Sequence, residues 1–187
     1  MPGPEVVTEG SMDIQLRKWR QEDKERLMKI CNGTDRSYLA NRLPFPYTEK
    51  DAAWWIGMVG EQDGKTGIFR AIVADDEYVG NISIEQKSDV YRRDGEIGYL
   101  LLSDCRSRGI ATEAVRQICP IAFKELDIIR ITGLVYEPNE ASKRVLKKNG
   151  FIHEGTLKNA VTKDGRTYNL CIFGKCIREQ EETAVKL

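Results

Sequence analysis

Apolar positions along this chain recur in two rhythms, and the switches between them mark the elements. From Ile14 the stretch IQLRKW alternates and predicts a first strand, whereas EDKERLMKICN, from Glu22, sets Leu27, Ile30 and Cys31 at helical spacing. The segment NRLPFPYT, Asn41 to Thr48, breaks any helix because each proline disfavours helical geometry in the residue before it. Thr48 then offers a cap for a second helix, EKDAAWWIGMVG. IFRAIVA and YVGNISIEQ flank Asp75, Asp76 and Glu77 and predict a hairpin with an acidic turn. GEIGYLLL, Gly95 to Leu102, is apolar enough to predict a strand buried on both faces.

Beyond it, Ile110, Ala114, Ile118, Ala122 and Leu126 recur every four residues between Ser107 and Leu126, the stripe of a buried helix. Pro120 sits inside that stripe and removes the bond to the carbonyl of Arg116, at roughly 3 kcal/mol in a helix interior, so a kink or two shorter helices is expected. RITGLVY predicts a strand, NEASKRVLKKN a helix that stops at Gly150, and FIHEGTLKNAV with RTYNLCIFGKC a hairpin around KDG. The order is strand, two helices, three strands, helix, strand, helix and two strands, which defines a mixed α/β sheet. Met1 to Met12 and Arg178 to Leu187 carry neither rhythm, so loose ends are expected around a domain at 13–177.

Composition narrows the function. A chain of 187 residues, 41% hydrophobic, suits one well-buried domain. Its 29 basic side chains balance 29 acidic ones, so no global field recommends a nucleic acid or an anionic membrane as partner, and any anion site must be local. Cys31, Cys105, Cys119, Cys171 and Cys176 form no CxxC pair, and His153 is the only histidine, which argues against a zinc site, a Cys/His catalytic pair and a secreted disulfide framework. No apolar run approaches the ~20 residues of a membrane span, and the N-terminus lacks a signal-peptide layout. A soluble protein of a reducing compartment, the cytoplasm, is expected.

The stretch CRSRGIATEA, Cys105 to Ala114, places two arginines, a serine and a glycine between a strand and a helix. A helix start presents unpaired N–H groups and the positive end of the helix dipole, which bind phosphate oxygens. Gly109 lets a ligand approach the backbone, and Arg106 and Arg108 add charge. The plainer alternative is an ordinary helix capped by Ser107 with its arginines in water. The stretch is neither the phosphate loop ending in GK[ST] nor the dinucleotide GxGxxG.

Arg106-Ser107-Arg108-Gly109-Ile110-Ala111 resembles the Q/R-x-x-G-x-G/A pyrophosphate motif of the GNAT acetyltransferase superfamily. GEIGYLLL before it, with EPNEASKRVLKKNGFIHEGTLKNAV and GRTYNLCIFGK after it, is similar to the branch that includes ribosomal-protein N-terminal acetyltransferases. The resemblance runs from about Ile14 to Ile177, more specifically in the second half, and Pro120 departs from the usual uninterrupted helix. It implies an α/β GNAT fold: a mixed, mostly antiparallel sheet of about seven strands, flanked by helices and splayed at a cofactor cleft between the strand of Glu96 to Leu102 and that of Arg130 to Tyr136. It implies acetyl-CoA as acyl donor, no metal, and a turn from Arg106 through Thr112 that holds the pyrophosphate.

An acceptor amine is protonated at neutral pH and must lose a proton before it attacks, while the developing oxyanion needs donors. By resemblance Glu96 is the base, through water; within an apolar strand, desolvation would raise its pKa towards the useful range, and the alternative is a structural carboxylate. Backbone N–H groups near Leu101 and Leu102 are the expected oxyanion or thioester donors. Asn139 and Ser142 share a helix face; the resemblance puts Asn139 on the pantetheine and Ser142 beside the sulfur, assisting the departing thiolate, while the simpler reading is an N-cap. Tyr136, which precedes the helix, ranks below Ser142 as the acid. His153 reads as a surface or packing residue and Cys105 as a small hydrophobe.

Acceptor recognition is expected from the NRLPFPYT loop with Arg42, from Trp54 and Trp55, and from the TKDGR turn, with core packing as an equal reading of the tryptophans. The leading expectation is direct acetyl transfer to a primary amine, of a protein N-terminus or a small molecule, by a monomer or homodimer. Its competitors are a CoA-binding module without activity and an enzyme using another acyl-CoA, which the pocket depth beside Leu100 and Leu102 would decide.

Overall fold

Strands form where the two-residue rhythm predicts them. In the computed structural model, which describes residues 12–177, seven strands build one sheet: β1 (Ile14–Arg17), β2 (Gly67–Ala74), β3 (Glu77–Gln86), β4 (Asp94–Leu101), β5 (Arg130–Tyr136), β6 (Ile152–Lys163) and β7 (Arg166–Cys176). They lie in the order β1-β2-β3-β4-β5-β7-β6, and every neighbouring pair is antiparallel except β4 with β5. The helices are α1 (Lys24–Gly33), α2 (Glu49–Gln62), α3 (Ile110–Glu125) and α4 (Glu140–Lys148). Element order and sheet type match the expectation. The segments expected to be loose, Met1 to Met12 and Arg178 to Leu187, lie outside the described residues apart from Met12, which packs against the core.

Each face of the sheet has its own core. Ile68, Ile72, Ile82 and Ile84 pack against the stripe of α3, with Leu146 of α4 in the same cluster, while Ala71 and Val73 pack with Leu27, Ile30 and Ile56 of α1 and α2. All five residues of the predicted α3 stripe are buried. Pro120 neither splits that helix nor ends it: α3 is one helix with Pro120 on its exposed side, so water can satisfy the released Arg116 carbonyl.

Local chemistry sets the joints. The β2–β3 hairpin turns at Asp75 and Asp76 (φ 47° and 65°), and the β6–β7 hairpin at Asp164 and Gly165 (φ 50° and 74°), the pairs of positive φ that match strand twist. Gly150, at φ 79°, ends α4, where Phe151 N–H donates to the Leu146 carbonyl (3.1 Å) and Gly150 N–H to that of Lys147 (3.1 Å). Thr48 caps α2: its Oγ1 accepts from Asp51 N–H (3.2 Å), and Asp51 accepts from Thr48 N–H (2.8 Å). Thr48→Ala is therefore expected to cost about 1 kcal/mol in a urea melt with an unchanged slope.

β4 departs from expectation. Gly95 and Ile97 are buried, Ile97 in the cluster on the α3 side, but Glu96 and Gly98, on the opposite face of the strand, are exposed, and the rest is half-buried. No helix among the described residues is long and apolar enough to cross a membrane, and all five cysteines are free thiols.

Candidate active site

Among the described residues the one parallel pairing in the sheet is short for the strands that make it. β4 and β5 are in register for four pairs, from Asp94 with Arg130 to Ile97 with Gly133, and then part. β3 stays paired with β4 as far as Leu101, and β7 with β5 as far as Tyr136, so each strand follows its outer neighbour and a gap opens between them. In antiparallel pairing alternate residues bond to the partner strand. Lys87 N–H donates to the Asp94 carbonyl (2.9 Å) and Leu102 N–H to that of Val79 (2.8 Å), which fixes even-numbered β4 residues as the ones bonded towards β3. Tyr99 and Leu101 therefore turn their backbone groups into the gap. Of the two donors expected here, Leu101 points the right way and Leu102 does not, since its N–H is already spent; Leu102 packs on the α1 and α2 side instead.

The gap belongs to a cleft of about 1210 Å³ that reaches the start of α3. Gly109 is the N-cap of α3, at φ 79°, and Ser107 is left-handed too, at φ 60°. The first helical bond is Glu113 N–H to the Gly109 carbonyl (3.1 Å), and no side chain caps the helix, so the N–H groups of Ile110, Ala111 and Thr112 are left for a ligand. The alternative with Ser107 as cap does not hold, because Ser107 lies two residues before the N-cap. A Cβ on Gly109 would meet nothing within 4 Å. That open approach, the uncapped turn and the dipole of a 16-residue helix suit a pyrophosphate.

The two arginines of the turn differ. Arg106 lines the cleft and donates to Asp35 (2.6 Å), while Arg108 is exposed and does not line it. Hydrogen bonds from Ser37, and then from Arg106, hold the Asp35 carboxyl down at about 2. Arg144 and Lys148 of α4 also line the cleft. Sequence reading passed over both because a basic helix face looks like any solvated one.

At the start of α4 the expected pair is in contact. Asn139 Oδ1 accepts from Ser142 N–H (3.2 Å), the predicted N-cap, and Asn139 Nδ2 donates to Ser142 Oγ (3.3 Å). With its oxygen engaged as acceptor, the Ser142 hydroxyl proton is free to be donated elsewhere. Tyr99, whose phenol is pushed up to about 12 by burial, donates to the Ser142 carbonyl (3.4 Å) and ties β4 to α4. Tyr136 also lines the cleft, its ring between those of Tyr38 (5.5 Å) and Tyr168 (5.6 Å).

The other wall of the cleft comes from β3, α2 and the loop after α1. Glu96 of β4 faces the same side and is exposed, not buried within an apolar strand as expected. Glu85, which sequence reading did not single out, is its direct partner across β3 and β4. Trp55 packs edge-on against Trp19 and Phe69 (6.2 Å each), whereas Trp54 is 69% exposed at the rim, so the core and surface readings divide between them. Arg42 lines the cleft as expected, but the TKDGR turn does not: Lys163 donates to Asn41 (2.7 Å) and braces the loop from outside. His153 sits on the surface beside Phe173, and Cys105 is half-buried.

A seven-stranded sheet parted at β4 and β5, with an uncapped glycine turn at the mouth, defines an acyl-CoA-type transferase scaffold. The acetyltransferase (GNAT) domain family matches residues 13–152, three-quarters of the chain, and the protein belongs to that family. Among curated relatives, the uncharacterized N-acetyltransferase YoaA of Bacillus subtilis is 32% identical over 52% of this chain and 54% of its own length. YokL, an SPbeta prophage-derived uncharacterized N-acetyltransferase of the same organism, is 29% identical over 90% of this chain and 93% of its own length. The chain thus spans about half of the first relative and nearly all of the second. Among solved structures, RimL, the ribosomal L7/L12 alpha-N-protein acetyltransferase in complex with coenzyme A, superposes with TM-score 0.75 over 88% of this chain and 94% of that one, at 17% identity, a likeness of fold.

Proposed function

We propose that this protein is an acetyl-CoA-dependent N-acetyltransferase that passes the acetyl group directly to a primary amine, without a covalent enzyme intermediate. One observation carries the reading: a single cleft joins the uncapped start of α3, the gap between β4 and β5, and the carboxylate of Glu96. The family supplies the acyl donor, and RimL's complex with coenzyme A supports it. The turn from Arg106 to Thr112 suits the pyrophosphate, with its backbone donors in contact and Arg108 adding charge from the surface. Five free thiols support a reducing compartment such as the cytoplasm.

Each residue has a distinct task in this reading. Glu96 takes a proton from the acceptor ammonium, directly or through water, so that a neutral amine can attack. Leu101 N–H donates to the thioester oxygen as negative charge builds there. The C–N bond forms, the C–S bond breaks, and the Ser142 hydroxyl donates to the departing sulfur while the nitrogen sheds its second proton to solvent. Asn139 holds that hydroxyl in its donating orientation and reaches the pantetheine arm. Leu100, lining the cleft where Leu102 does not, bears on the size of acyl group accepted.

Variants at the two α4 residues should separate these tasks. Ser142→Ala is expected to slow single-turnover transfer by roughly tenfold to a hundredfold with CoA affinity retained, the scale of one hydrogen bond to a developing charge. Asn139→Ala should weaken CoA binding and destabilise the fold by ~1 kcal/mol through the lost cap. Transfer at the wild-type rate in Ser142→Ala would move the acid role to Tyr136 or a water. The function itself is tested by CoA release from acetyl-CoA over a panel of peptides with varied first residues, polyamines and aminoglycosides; CoA binding without release on any amine would favour a binding module instead.

A further inference from the structure

β3 and β4 place two glutamates side by side on the floor of the cleft. Glu85 and Glu96 are register partners, both exposed and both lining the cavity. Along the same face come Ser83 opposite Gly98 and Asn81 opposite Leu100, with Phe69 of β2 beside Ser83. A Cβ on Gly98 would meet nothing within 4 Å, so the floor next to Glu96 is bare and leads towards the gap.

Two carboxylates opposite each other on a sheet repel, and such pairs are tolerated where a cation stands between or beside them. Among the described residues no cation does so here. The nearest charged row is complete in itself: Asp94 accepts from Lys87 (2.7 Å) and Thr132 (2.8 Å), and Arg130, 3.8 Å from Asp94, turns its fork to Glu154. Glu85 has only the Ser83 hydroxyl (3.5 Å), and Arg42, on the loop across the cleft, is paired with neither glutamate. Cations on neighbouring strands are thus spent, while the carboxylates facing the cavity are left without one.

We propose that Glu85 is an acceptor-binding residue that, with Glu96, selects an amine carrying a second positive charge a few bonds from the reacting nitrogen. This rests on the transferase reading, and it divides the pair by position. Glu96 is on β4, the strand that borders the gap, and meets the reacting ammonium; Glu85, one strand further from the gap, meets the second cation. Trp55 of α2 and Phe69 of β2, in edge contact with each other and lining the same cleft, offer apolar surface for the alkyl body of such an amine.

The test compares a linear diamine with the monoamine of equal chain length, by calorimetric binding to the full chain saturated with CoA and then by steady-state transfer. Wild type is expected to bind the diamine about tenfold more tightly, with the preference falling as salt rises. Glu85→Gln should reduce that preference to less than about twofold by raising the diamine's Kd and KM, with kcat and CoA affinity near wild type. Glu85→Asp should restore part of it. Equal binding of the two amines by wild type, or a preference that survives in folded Glu85→Gln, overturns the proposal. Failure of the transferase reading looks different: amines bind with the predicted preference but no CoA is released from acetyl-CoA.

Discussion

Replacing Gly109 by valine is expected to abolish CoA binding. In wild type, CoA at a hundredfold excess over its dissociation constant should raise stability against heat by ~2.7 kcal/mol, a shift that vanishes if the ligand no longer binds. Two independent effects act at this position. A side chain at Gly109 would project into space that is empty in the free protein and that a phosphate must cross to reach the N–H groups of Ile110 to Thr112. The left-handed φ of 79° is also poor for any residue with a Cβ, and worst for a branched one, so the turn itself would re-form away from the cradle. Circular dichroism separates loss of the site from loss of the fold, and Gly109→Ala, smaller and unbranched, should bind CoA weakly rather than not at all. A folded Gly109→Val protein with the full CoA shift would mean that the pyrophosphate is held elsewhere.

Gly109 was legible because everything it needs is local: a strand end, a positive-φ residue and a helix start lie within a few positions of one another. The same is true of Thr48, of Gly150 and of the Asn139–Ser142 cap. What was not legible depends on how distant strands meet. The stretch Gly95 to Leu102 reads as a strand buried on both faces, yet β5 parts from it after Ile97, so half its length borders a cleft, and Glu96 faces the exposed side. Whether a backbone N–H is available depends on pairing parity, which is why Leu101 and Leu102, adjacent and chemically alike, have opposite fates. Glu85 lies in a strand whose sequence marks it only as a polar position; its meaning comes from standing opposite Glu96. The TKDGR turn went wrong in the same way, since the length of the β6–β7 hairpin carries its tip past the cleft to Asn41.

Glu96→Gln is expected to lower turnover by ~10²-fold or more at neutral pH while leaving CoA affinity near wild type, the effect of removing a proton acceptor but keeping the side chain's shape. The carboxylate is exposed on the cleft lining, one residue before the last β4–β5 pair, so the proposed role as base rests on this position beside the opening. The deficit should therefore depend on pH in a definite direction. Glutamine cannot accept the proton, so the variant must wait for amine already neutral in solution, a fraction that grows as pH rises. The gap between wild type and Glu96→Gln should accordingly narrow in alkaline buffer, and narrow first for acceptors with the least basic amines. Glu85→Gln should behave otherwise, raising KM for a diamine wherever its second amine is still protonated, with kcat largely kept. A Glu96→Gln protein with wild-type turnover would pass the proton to solvent or another side chain; a deficit that stays constant as pH rises would make Glu96 a residue that binds the ammonium rather than one that deprotonates it.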